Sequence, residues 1–418
     1  MKKLRIPLAS SILLGALIFQ VSIISDALGI KMIGRGVNAL ILLALASLLI
    51  RTINQKRPAR VVLLYVLPIV FIMLGYALNM LTSLEFESFG TAYIFLPWLA
   101  ALSIPFLASS NVETYWKIFY RFMLVTIVIS VMEYFAVFSG FLTPTVIETD
   151  RGVFLKGVIS IFTRLDSGLP HYRFFGVFAE PGTAAMFLIP AMTYALLFNK
   201  RLALIVFGVA LYLTDSLGGY FALFVVIALY VFWKLGELHW SFSVKLILVG
   251  MIVAVAAAST IGFFVKRYEE KQQSAYVRED NVTEFIKGFG SSLSDHPLGF
   301  KLQEKSLSKL DADQDYYGSN LMFYVAFVQG GVLAFLGYLI FFISALIFSI
   351  KYFVLRHNPD RNLACVFISL PALLTYVFQR TTIFESIVFA FLFAAPLLEM
   401  MRAGSAARGA VGSEAMAE

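Results

Sequence analysis

Apolar residues run along this chain in long blocks, and polar residues gather in the breaks between them. A helix needs roughly 20 mostly apolar residues to cross the ~30 Å hydrocarbon core of a bilayer. By that measure the pattern predicts twelve spans, over residues 6–25, 34–50, 61–81, 90–108, 118–139, 178–197, 201–215, 217–234, 245–265, 329–350, 362–379 and 382–400. Backbone groups in lipid must be satisfied within the segment, so apolar blocks of this length read as helices. The expected fold class is all-α: a polytopic membrane helical bundle of about 12 transmembrane helices, with a large outer loop. The seventh span is short and depends on Thr214-Asp215-Ser216 to end it; the alternative is fusion with the eighth into a broken helical hairpin. The first block has the position of a signal peptide, but it is long and no small-residue cleavage site follows, so it is read as a span.

The breaks are uneven. Two are long, at about 140–177 and 266–328, and loops of more than ~12–15 residues are usually functional or disordered. The second carries ten acids and eight bases before Tyr317 and is expected to be soluble. Within it, Val282, Phe285, Ile286 and Phe289 have helical spacing and predict a short helix on the membrane surface. Leu321–Phe327 predicts another, ahead of Gly330-Gly331 and the tenth span. No internal repeat is visible. One transmembrane domain is expected over 1–401, including both long loops, with a disordered cytoplasmic tail over the Ala/Gly-rich residues 402–418.

Composition narrows the class. The chain is 60% hydrophobic and only 14% charged, whereas soluble domains carry about 25% charged residues. A soluble protein must cover its surface, and this sequence lacks the polar residues to do so. Soluble enzymes, nucleic-acid-binding domains and disordered chains are excluded on this ground. The net charge of +7 is read as Lys and Arg held on the cytoplasmic side. With the N-terminus inside, the inner stretches hold 18 of the 33 basic residues and 6 of the 26 acids. Segment 51–60 alone has four bases and no acid. Both termini are therefore expected in the cytoplasm, with Lys31 and Arg35 as exceptions. The single cysteine, Cys365, sits in an apolar block and predicts neither a disulfide nor a metal site.

Ionisable groups at membrane depth are costly and by default mark a site. Glu133, Glu180, Asp215 and Glu385 fall in or beside spans, all toward the outer end, and Arg173 and Arg380 lie at the same level. The group suggests a polar cavity open to the outside; the plainer reading is helix-end side chains reaching the headgroups. His239 and His357 fall in inner loops and read as solvated. His171 and His296 fall in the two long outer loops, and histidine is suited to proton transfer near neutral pH. His296 lies in Asp295-His296-Pro297-Leu298-Gly299, where Pro and Gly predict a turn.

The most distinctive string is Arg173-Phe-Phe-Gly176-Val-Phe-Ala-Glu180-Pro181-Gly182. Pro181 suits the first turn of a helix, which places the Glu180 charge at a favourable helix N-terminus. A guanidinium just before it is equipped to bind phosphate, or to anchor in lipid headgroups. Asp311-Ala-Asp313-Gln-Asp315 opens like a calcium loop, but Tyr316 and Met322 stand where Gly and Glu are required. No Cys/His cluster, HExxH or phosphate-binding glycine loop is present, and no cytoplasmic stretch is long enough for a nucleotide domain. Neither a metal nor another cofactor is expected.

Three segments together give the chain a family likeness. The first is Arg173-x-x-Gly176-x-Phe178-x-Glu180-Pro181-Gly182 opening a span. The second is Leu213-Thr214-x-Ser216-x-Gly218-Gly219 between two spans. The third is His296-Pro297-Leu298-Gly299, followed by Gly318-Ser319-Asn320 and by Gly330-Gly331 at the next helix. In their order and topology over about residues 60–400 the chain resembles the bacterial O-antigen and exopolysaccharide polymerases, of the superfamily that includes the O-antigen ligases. Leu217 stands where members often have Arg, and Gly318-Ser319 where they often have His. His296 is thereby the main outer-loop histidine available to act.

The resemblance implies glycosyl transfer at the outer, periplasmic face of the bacterial inner membrane. The donor would be a glycan on undecaprenyl diphosphate, attacked at its anomeric carbon by a sugar hydroxyl, with the lipid diphosphate leaving. Diphosphate departure requires fixed positive charge, for which Arg173 is the leading candidate, assisted by Arg278 or Arg380. His296 or Glu180 would serve as base, and Asp215 and His171 would join the glycan-binding set. Membrane lipids, a chain-length regulator and a flippase are the implied partners. The runner-up in the same class is a ligase that moves the glycan to lipid A core or to protein. From other classes, the alternatives are a flippase or exporter and a channel or scaffold. Transporters usually show repeats and midplane sites, and neither is visible here.

Overall fold

The computed structural model describes residues 59–83, 112–149, 152–164, 173–178, 180–235, 241, 243–244, 247, 250–251, 283, 286, 289–290, 293–299, 322–355 and 361–378. These residues are mostly helical. In chain order they form α1 (Ala59–Ser83), α2 (Val112–Phe138), β1 (Thr145–Thr149), β2 (Gly152–Lys156), β3 (Ile161–Arg164), α3 (Pro181–Leu197), α4 (Arg201–Thr214), α5 (Leu217–Leu235), α6 (Met322–Leu355) and α7 (Arg361–Leu374), closed by a 3-10 turn at Thr375–Phe378. Among the described residues, three stretches are long and apolar enough to cross a membrane: Trp116–Phe138, Leu217–Leu235 and Ala326–Ile347. The spans expected at 6–25, 34–50, 90–108 and 382–400, most of 245–265, and the tail 402–418 lie outside the described residues. So do Gly318-Ser319-Asn320 and the acidic run Asp311–Asp315.

The chain divides into two compact units, one formed by 1–41, 111–267 and 352–376, the other by 42–110, 268–351 and 377–418. In the first, α3 is the central helix. All of its residues except Leu196 are buried, and α2, α4, α5 and α7 pack around it. Short connections make neighbours antiparallel. Asn199 ends α3 with a left-handed backbone (φ 53°), its N–H bonded to the Leu196 carbonyl and the Lys200 N–H to that of Ala195. Asp215 ends α4 in the same way (φ 50°), and α5 begins two residues later. Asn and Asp are the non-glycine types that best tolerate this conformation. The break at Thr214-Asp215-Ser216 is thus built as two helices joined by a two-residue stop.

The outward faces are as apolar as the inward ones. Along α2, Val125, Ile129, Met132, Phe135 and Phe138 are exposed, while Trp116, Phe119, Met123, Ile127, Ser130 and Glu133 are buried. Along α4, Leu202, Ile205, Val209 and Tyr212 are exposed against buried Ala203, Phe207, Ala210 and Leu211. A water-facing helix carries a polar stripe there. The charges sit at the ends instead. Lys117, Arg121, Lys200, Arg201, Lys234 and Arg361 are exposed at one end of this unit, with Glu113 paired to Lys117. Glu133, Arg173, Glu180 and Asp215 lie at the other.

That second end carries a feature the helical reading of the sequence lacks. Thr145–Thr149, Gly152–Lys156 and Ile161–Arg164, expected as part of a long loop, form an antiparallel sheet in the order β1-β2-β3. Thr145 to Thr149 pair with Lys156 to Gly152, and a bulge at Leu155/Lys156 shifts the second pairing. Phe154 and Ile161 pack with Phe175, and Ile147 closes the cluster.

The second unit is described through α1, part of α6 and short pieces of 283–299. Helix α6 is broken at Gly330 (φ −144°, ψ 15°) and Gly331 (φ 62°, ψ −158°), so the stretch expected as a short separate helix joins the tenth span across a kink. Gly75 and Gly330 allow α1 and α6 to meet backbone to backbone, and Tyr76 and Tyr338 share a hydrogen bond of 2.9 Å. Of the residues whose spacing predicts a surface helix, Ile286 and Phe289 are helical, Val282 and Phe285 lie outside the described residues, and the Phe289 ring packs on Phe327 and Phe335.

Candidate functional site

Three polar arrangements stand out, two in the first unit and one in the second. The first is built on the strap Arg173–Phe178 that leads into α3. Its backbone is pinned on both sides: the Phe174 N–H donates to the Leu213 carbonyl, and the Phe175 N–H to that of Ile161. Gly176, at φ +60°, reverses the strap and accepts the Ile161 N–H at 2.7 Å. This fixes Arg173 beside the end of α4. Its Nε and Nη2 donate to the Thr214 carbonyl at 3.2 and 3.1 Å, and Nη2 also donates to the Asp215 carbonyl at 3.0 Å. The terminal carbonyls of a helix lack internal partners and carry the negative end of its dipole, so a guanidinium is favoured there.

Around this contact the end of the bundle is polar. Thr214, Asp215 and Ser216 are buried. Ser216 caps α5, its Oγ accepting the Gly219 N–H at 3.3 Å. Glu180 stands at the start of α3 with Pro181 in the first turn, as the sequence predicts, and its side chain is exposed. The N-termini of α3 and α5 share this end with Arg173, and helix N-termini and guanidinium both favour an anion.

The second arrangement concerns Glu133. Its carboxylate, 8% exposed, accepts the Ile159 N–H at 3.1 and 3.2 Å and the Ser160 N–H at 3.0 Å. The acid thereby holds the β2–β3 turn onto α2. Gly157 is required beside it, because an added Cβ would lie 2.7 Å from Oε2. An acid that the sequence groups with the candidate cavity here has a structural partner.

The third arrangement is the turn at His296. Asp295 closes a helical turn, and the Gly299 N–H returns to the His296 carbonyl at 2.9 Å. The next two carbonyls are held from outside the turn. Val332 donates to Pro297 at 3.0 Å, and the Asn79 side chain donates to Leu298 at 2.6 Å. The turn fits only because of glycine. A Cβ on Gly331 would collide with the Pro297 oxygen and with Leu298, and one on Gly299 with Asn79 and the Val328 oxygen. The two halves of the third sequence segment, Pro297-Leu298-Gly299 and Gly330-Gly331, are in direct contact.

Of the predicted site residues, Arg173 and Asp215 are brought together in the first unit, with Glu180 at the same end. His296 belongs to the second unit. His171, Arg278 and Arg380 lie outside the described residues, as does Glu385. Sequence reasoning missed Asn79. Its signal in the sequence is an uncharged amide inside an apolar block, which marks membrane depth less sharply than an ionisable group does. No known family model, curated protein or solved structure matches the chain.

Proposed function

We propose that this chain is a multi-pass glycosyltransferase of the bacterial inner membrane, with both termini cytoplasmic, that polymerises undecaprenyl-diphosphate-linked repeat units into a surface polysaccharide. The observation that carries the reading is the bonding of Arg173, from the first motif, to the Thr214 and Asp215 carbonyls of the second. Two segments far apart in sequence thereby make one polar assembly at the end of a helical unit. The six exposed bases at the opposite end support an outward orientation for that assembly.

In this reading the acceptor sugar's hydroxyl oxygen bonds to the anomeric carbon of the donor while the bond from that carbon to the diphosphate oxygen breaks. The hydroxyl proton passes to a base, for which His296 and Glu180 are the candidates. The electron pair of the broken bond leaves with the diphosphate, whose growing charge Arg173 offsets. Because the guanidinium is already held by backbone carbonyls, it need not reorganise as that charge develops. A lipid-linked donor reaches such a site sideways from the bilayer, consistent with polar groups at the helix ends.

The test is donor consumption. Purified protein in nanodiscs is given a short undecaprenyl-diphosphate-linked repeat unit, with chelator and without nucleotide. Release of undecaprenyl diphosphate together with oligomers of the repeat supports polymerisation. Donor turnover only after lipid A core is added would assign a ligase instead, and donor bound but never consumed would favour a flippase.

A further inference from the structure

We propose that Asn79 is a positioning residue for His296, acting with the Gly330-Gly331 kink as a clamp on the His296–Gly299 turn. The inference rests on the reading of His296 as the base. Three successive carbonyls of the turn are each held by a separate donor: His296 by the Gly299 N–H, Pro297 by the Val332 N–H, and Leu298 by the Asn79 amide. In an exposed loop such groups are satisfied by water, so fixed donors on two other helices are not needed to keep them bonded. Their effect is to fix the backbone that carries the imidazole.

Each part of the clamp has a specific requirement. The Val332 N–H can point at Pro297 because the kink, with Gly331 at φ 62°, turns it away from the helix interior. The close approach needs glycine at 299 and 331, where any side chain would collide. Asn79 is 2% exposed on a largely apolar helix, and a buried amide at such a position is costly unless its hydrogen bonds are made. With Pro297 fixing one dihedral and three carbonyls tied, the backbone that carries His296 is restrained.

The experiment uses the full chain in nanodiscs. His296 is followed by carbethoxylation with peptide mass spectrometry, with His171, His239 and His357 as references, and no donor is needed. In parallel, polymer formation is measured for wild type, Asn79→Ala and Asn79→Gln. The Gln variant keeps an amide on a longer stem and preserves more of the packing. The expected result is a severalfold rise in His296 labelling relative to the other histidines. It should come with kcat lower by about tenfold and KM unchanged, since displacing a catalytic group penalises the chemical step. Asn79→Gln should fall between wild type and Ala. Unchanged His296 labelling in both variants would overturn the clamp. Raised labelling with undiminished kcat would overturn its positioning role. A fully active His296→Ala would instead remove the base assignment, and with it the premise, whatever the labelling shows.

Discussion

Arg173 shows how one side chain can serve fold and chemistry together. Its guanidinium closes the carbonyl end of α4, and in the proposed mechanism the same charge serves the leaving diphosphate. Arg173→Lys keeps the charge but loses the planar fork, so it should lower stability by about 1 kcal/mol, read as thermal unfolding in detergent. Asp215 separates the two roles more cleanly. Its left-handed backbone is one that glycine adopts freely, so Asp215→Gly should fold normally while losing the carboxylate. If Asp215 helps to bind glycan, that variant should show raised KM with an unchanged melting curve. Glu133 is the contrasting case. Glu133→Ala strands the Ile159 and Ser160 amides and should cost about 1–3 kcal/mol in the same melting experiment. A ladder of unchanged length distribution from that variant would agree with a structural role.

The helices of this protein were easier to foresee than its other elements, for a physical reason. An apolar helix announces itself by sheer length of apolar sequence, and α1 through α5 fall in such blocks, of which α2 and α5 hold stretches long enough to cross a membrane. The stop at Asp215 was legible because Thr-Asp-Ser interrupts an apolar run. The sheet was not. Its strands are four or five residues long, too short for any alternation to stand out beside twenty-residue blocks. What defines it is tertiary: Glu133 on its turn and Phe175 on its face. The kink in α6 was half legible, since Gly330-Gly331 marked a break but not the turn that fills it. Glycines carry these contacts. Gly331→Ala combines a positive φ with a clash against the Pro297 and Leu298 backbone, and should abolish the docked turn. Gly219→Ala meets the Ala185 and Leu211 side chains at 2.8 Å each and should cost about 1–3 kcal/mol in overpacking.

Taken as a molecule, the chain combines apolar outward faces with charges sorted to the ends of its first unit. That sorting predicts a topology that can be measured in cells. In a background with the buried Cys365 replaced, Val158→Cys in the exposed sheet turn should react with a membrane-impermeant thiol reagent added outside. Asn199→Cys, in the exposed turn beside Lys200 and Arg201, should react only after permeabilisation. The candidate site was legible as a set of residue types at one level, but not as bonds. Sequence grouped Glu133 with Arg173 and Asp215, whereas the structure gives Glu133 to the sheet turn and joins Arg173 to the end of α4. The decisive experiment is a polymerisation ladder from purified protein and a lipid-linked repeat unit, with metal and nucleotide withheld, for wild type, Arg173→Ala and His296→Ala. A wild-type ladder that each substitution abolishes, in variants that still unfold cooperatively on heating, is the result predicted. Ladders of equal length and rate from all three proteins would contradict the assignment of these residues to glycosyl transfer.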